Sequence, residues 1–91
     1  MPNQTLDIIN KRGLHARAAA KLAATCAKFA CKIQLRKTTT ENWVDGKSIM
    51  SLMLLAAGVG SQIEVNIEGH DSDIALNAIQ QLVANRFEED E

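Results

Sequence analysis

Between Gln62 and Glu68 the chain alternates without a break: Ile63, Val65 and Ile67 against Gln62, Glu64, Asn66 and Glu68. This is the period of a strand with one apolar face, which must be covered by another part of the chain while the opposite face meets water. Lys32-Ile33-Gln34-Leu35-Arg36 repeats the pattern. Leu6 and Ile8 alternate with Thr5 and Asp7 in a first strand, which ends at Asn10-Lys11-Arg12-Gly13. A fainter strand is written around Asn42-Trp43-Val44, after the threonines Thr38 to Thr40, and Asp45-Gly46 is the turn expected to close it. None of these segments carries the continuous apolar run of a strand buried on both faces in a parallel sheet.

The cover for that sheet is written in a different period. From Ala16 to Phe29 the composition is strongly helical, and Ala19, Leu22, Cys26 and Phe29 fall on one face, flanked by alanines that allow close approach. Ser48 to Ala56 predicts a short helix, ended by Gly58 and Gly60. Asp71 or Ser72 is placed to cap a last helix, whose stripe is Ala75, Ala78, Ile79, Leu82 and Val83. The order β-α-β-β-α-β-α therefore predicts an α+β fold, an open-faced β-sandwich. A four-stranded antiparallel sheet carries three helices on one face. Residues 1–91 are expected to form a single domain, because the length leaves no room for a second core.

Composition excludes several classes of function. A net charge of -1 and 3% aromatic residues offer nucleic acid neither a basic surface nor a stacking platform. The longest apolar run, Ile49 to Val59 with one serine, is too short to span a membrane. Met1-Pro2-Asn3-Gln4-Thr5 has neither the basic region nor the apolar stretch of a secretion signal, so a cytoplasmic location is expected. Cys26 and Cys31 are spaced too widely for a C-x-x-C motif and have no partners for zinc, so they are read as packed thiols. The acidic end Glu88-Glu89-Asp90-Glu91 is read as a solvated tail, and His70 as a surface residue.

Chemistry concentrates in Gly13-Leu14-His15-Ala16-Arg17. The segment sets one histidine at the mouth of the alanine-rich helix, where unpaired backbone N–H groups and partial positive charge favour anions. An imidazole held there is biased toward its neutral, nucleophilic form, and a phosphoryl group on it would meet the amides of Ala16, Arg17 and Ala18. Arg17 is disfavoured at a positive helix end, which argues for a functional reason, and its guanidinium suits phosphate oxygens. No metal site or Ser-His-Asp arrangement can be read around His15. Gly46-Lys47-Ser48 is not a phosphate-binding P-loop, since Glu41 stands where the earlier glycine is required. Ser48 reads as a helix N-cap. In the helix it opens, Leu52, Leu55 and Ala56 can turn inward together, leaving Ile49, Met50 and Met53 on another face suited to docking.

Gly13-Leu14-His15-Ala16-Arg17, the element order and a second motif at Lys47-Ser48-Ile49-Met50 resemble the HPr/NPr phosphocarriers of the phosphoenolpyruvate-dependent phosphotransferase system. The resemblance covers essentially the whole chain. It implies that His15 takes a phosphoryl group on Nδ1 from phosphorylated enzyme I and passes it to an enzyme IIA protein. It further implies regulatory phosphorylation of Ser48 by an HPr kinase/phosphorylase. The expected protein is a monomeric relay with no cofactor and no metal, not a stand-alone enzyme. It meets neither nucleic acid nor membrane. The family usually has proline after the arginine; here Ala18 keeps the helix and supplies one more N–H. The alternative reading is a small regulatory interaction domain that is never phosphorylated.

Overall fold

The structure is a computed structural model and describes residues 3–55 and 57–88. Its elements are β1 (Asn3–Asp7), α1 (Ala16–Ala27), β2 (Lys32–Lys37), β3 (Val44–Asp45), α2 (Ile49–Leu54), β4 (Gln62–Glu68) and α3 (Ser72–Ala84). The four strands form one antiparallel sheet in the order β1-β4-β2-β3. Register follows the alternation in the sequence. Leu35 lies opposite Val65 and Ile33 opposite Ile67, so the apolar residues of the central pair share one face. The three helices cover that face, and Ala18, Ala19, Leu22, Cys26, Leu52, Ala75, Ile79 and Val83 complete a single core with the strands. Among the described residues no helix is long and apolar enough to cross a membrane.

The open face of the sheet is polar and cross-linked. Arg36 lies opposite Glu64, binds its carboxylate through Nε at 2.9 Å and Nη2 at 2.6 Å, and stacks its guanidinium over Trp43 at 5.3 Å. Its remaining arm bonds the carbonyl of Thr40. This draws the segment before β3 toward β2 and leaves only Val44 and Asp45 in the ladder, not the predicted Asn42 to Val44.

Helix ends also depart from the prediction, and for a shared reason. α1 stops at Ala27, two residues short of Phe29, because groups distant in sequence take the backbone beyond it. Lys47 Nζ donates to the Phe29 carbonyl at 2.7 Å, and the Asp71 carboxylate accepts from the amides of Ala30 at 2.9 Å and Cys31 at 3.1 Å. Asp71 holds the N-cap position of α3 as expected, but its side chain makes no capping bond. It ties the start of β2 to α3 instead. α2 is shorter than Ser48 to Ala56, beginning at Ile49 and ending at Leu54; Ala56 itself lies outside the described residues.

Cys26 and Cys31 are free and buried. Burial pushes the Cys26 thiol up to about 12 and also raises Cys31, whose thiol donates a hydrogen bond to the Asp71 carboxylate. Both therefore remain protonated, inert thiols at neutral pH. At the other end of the chain, Glu88, the one described residue of the expected tail, is exposed. Phe87 is fully buried, Lys21 Nζ donates to its carbonyl at 2.9 Å, and the same ammonium pairs with Glu88 at 3.3 Å. Residues 89–91 lie outside the described part of the chain.

The amide of Ala30, followed by the Cys31 thiol, lowers the Asp71 carboxyl below its ordinary value. A depressed carboxyl stabilises the fold above the unfolded-state value, about 3.9, and that contribution is lost as pH falls through the lower native value. Asp71→Asn should therefore melt below the parent at pH 6. The gap should close as pH is taken down through the lowered native value, as followed by thermal melts across pH.

Candidate functional site

His15 is the N-cap residue of α1, with extended backbone (φ -80°, ψ -177°) and a half-buried side chain that does not cap the helix. Its carbonyl accepts the first helical bond, from Ala19 N at 2.8 Å. The amides of Ala16, Arg17 and Ala18 thus precede the hydrogen-bonded turns and face the helix mouth. Arg17 is exposed, Ala16 is exposed, and Ala18 is packed into the core. No acidic residue stands in this first turn to offset the positive end. Lys11 and Arg12, also exposed, add cationic charge on the preceding turn.

The geometry of that turn is set by backbone contacts with a loop from far along the chain. Gly13 has φ +67°, a left-handed conformation, and a Cβ there would lie 2.7 Å from both the Ala57 carbonyl oxygen and the Gly58 Cα. Only glycine allows this approach. Three backbone bonds hold the two segments together: Leu14 N to Ala57 O at 2.8 Å, Gly60 N to Ile8 O at 2.9 Å and Ile8 N to Ser61 O at 2.9 Å. Leu14 then buries its side chain beneath the turn.

The segment that grips the turn begins just beyond α2, so the second motif is tied to the first. Ser48 is the N-cap of α2, and its Oγ accepts from Ser51 N at 3.2 Å. Leu52 and Leu55 are buried, as the spacing predicts, while Ile49, Met50 and Met53 are exposed. Leu54 is the residue that sequence reasoning missed: it is 80% exposed, more than Met50 at 73%. Spacing alone could have found it, since Leu54 sits between the inward-facing Leu52 and Leu55. His70 is exposed near the start of α3 and takes no part in this site.

A family profile described as PTS HPr component phosphorylation site matches residues 2–85. The chain belongs to the HPr family. It is 47% identical to phosphocarrier protein HPr of Pseudomonas aeruginosa over 91 residues, covering all of both chains. It is likewise 47% identical to HPr of Xylella fastidiosa over 90 residues, 99% of each chain. HPr-C-His of Thermoanaerobacter tengcongensis superposes with a TM-score of 0.93 at 36% identity, covering 100% of both chains. The histidine-containing phosphocarrier protein of Mycoplasma gives 0.84 at 34% identity, over 93% of this chain and 96% of that one. The family is that of the phosphocarriers of the phosphotransferase system, and the open-faced fold is the one expected of it.

Gly13→Ala should lose stability by more than about 1 kcal/mol, because it meets backbone atoms on one side and a disfavoured left-handed φ on the other. Urea denaturation measures the loss, and a parent-like midpoint would contradict this account of the turn.

Proposed function

We propose that His15 is the phosphoryl acceptor of this HPr-family protein, loaded by phosphorylated enzyme I and unloaded to an enzyme IIA protein. The observation that carries the reading is the placement of His15 as N-cap of α1, ahead of three amides that precede the first helical bond. On loading, the bond from phosphorus to the donor breaks as the bond to Nδ1 forms; on unloading, the bond from phosphorus to Nδ1 breaks as the bond to the acceptor forms. The neutral imidazole supplies the electron pair. Such a transfer needs chiefly positioning and neutralisation of spread negative charge, not covalent help. The amides of Ala16, Arg17 and Ala18 supply fixed donors, and the Arg17 guanidinium supplies a full charge. Ala18 in place of proline adds one N–H to this set without ending the helix.

The protein works in the cytoplasm as a single-domain monomer, and it meets donor and acceptor through the apolar face of Ile49, Met50 and Met53, extended by Leu54. Ser48 is the regulatory phosphorylation site, served by an HPr kinase/phosphorylase where one is present. The residue is half-exposed and stands immediately before Ile49 and Met50. A phosphate there keeps an acceptor at the helix start, so it adds charge to the docking face without removing the cap.

Incubation with enzyme I and labelled phosphoenolpyruvate should place one acid-labile, base-stable phosphate on the parent. His15→Ala should take none, and residual acid-labile label on that variant would overturn the assignment. Arg17→Ala should keep native circular dichroism and accept phosphate at least about tenfold more slowly, equivalent to the loss of one charge-assisted contact in the transition state.

Ser48→Asp keeps a good N-cap, so its circular dichroism should match the parent. Its added charge should slow loading by enzyme I. Equal loading rates for the two proteins would remove Ser48 from regulation.

A further inference from the structure

We propose that Asn10 is a positioning residue for the His15 imidazole, a role that rests on the reading of His15 as phosphoryl acceptor. Among the described residues Asn10 is the one polar side chain buried with the core, at 0% exposure. An amide in such surroundings costs stability unless its polar atoms are used, and an apolar residue of similar volume would fill the space without that cost. What the amide does is specific. Nδ2 donates to the Gly13 carbonyl at 2.7 Å, while the Asn10 carbonyl accepts from Gly13 N at 3.1 Å. Facing a carbonyl at that distance, only the NH2 end of the amide fits.

The consequence lies in the peptide unit between Gly13 and Leu14. Its C=O is held by Asn10 and its N–H by Ala57, at 2.7 Å and 2.8 Å respectively. One partner is three residues upstream, and the other belongs to the segment beyond α2. A peptide plane gripped at both ends cannot rotate, and this one stands directly before Leu14 and His15. Leu14 is buried, so any rotation released at the plane passes to the next residue that can move, His15 at the helix mouth. Asn10 acts by fixing the direction from which the chain delivers the ring.

Asn10→Leu and Asn10→Ala separate this role from a merely structural one. Leucine refills the core and alanine leaves a void, so their melting temperatures should differ. Both lack the donor, so both should lower kcat for loading by enzyme I by about tenfold. KM for the carrier should stay within about twofold, because the docking face is untouched. The ring 15N and 13C resonances of His15 should shift in both variants relative to the parent. The proposal is overturned if kcat follows melting temperature from one variant to the other, if only KM changes, or if the His15 resonances stay at their parental positions. Should the parent itself fail to take label on His15, the relay reading falls. The ring resonances, which need no phosphate, would still decide whether Asn10 positions the ring. Should one variant not fold, the kcat-against-KM split and the His15 resonances of the other still decide it.

Discussion

The structure depends most on a contact that contains no side chain, the approach of Gly13 to the backbone of Ala57 and Gly58. It closes only because position 13 carries no Cβ and adopts a left-handed φ. With the three backbone bonds around it, this contact ties the turn before α1 to the segment that follows α2. The mouth of one helix and the end of another, distant in sequence, become parts of one rigid corner. A histidine on an ordinary surface loop would sample many ring directions, whereas here the backbone that carries it is held in place.

Electrostatics and geometry act in the same direction at that corner. Amides ahead of the first helical bond present positive dipole ends, Arg17 adds a full charge, and no acidic side chain of the first turn opposes them. A cation in the first turn costs helix stability and so is poorly explained by folding alone. It is well explained if an anion occupies the helix mouth for part of the protein's working cycle, the state the relay reading requires.

Much of this was legible in the sequence, and what was not has identifiable causes. Strand faces were readable because a half-buried strand writes its burial directly as alternation, and Ile63, Val65 and Ile67 are all buried in the structure. The histidine signature was readable because cap, amides and guanidinium are local to five residues. Helix ends were not, because Lys47 and Asp71 set the end of α1 from 18 and about 40 residues away. Asn10 was hidden because a polar residue in a loop looks solvated, and its burial depends on the approach of the distant 57–61 segment. Phe87 was hidden by its acidic neighbours. A left-handed stretch at Arg86, Phe87 and Glu88 turns its ring back into the core while Lys21 holds the backbone. Such a stretch costs about 1–2 kcal/mol per residue and persists where burial of a large ring offsets it.

The short helix α2 poses the remaining question of balance. Six residues cannot hold a helix in isolation, so α2 exists because Ser48 caps it and Leu52 and Leu55 bury themselves beneath it. Ile49, Met50, Met53 and Leu54 contribute little to that stability, yet their exposure carries a liability for association. On the relay reading the liability has a use. One surface must be engaged first by a donor and then by an acceptor, and each must let go before the next can bind. A small apolar face with two methionines, whose flexible side chains repack against differently shaped partners, favours contacts that form on several surfaces and dissociate quickly. A larger or more rigid face would bind one partner longer and slow the relay. The modest size of α2 is thus consistent with a protein selected for exchange over retention.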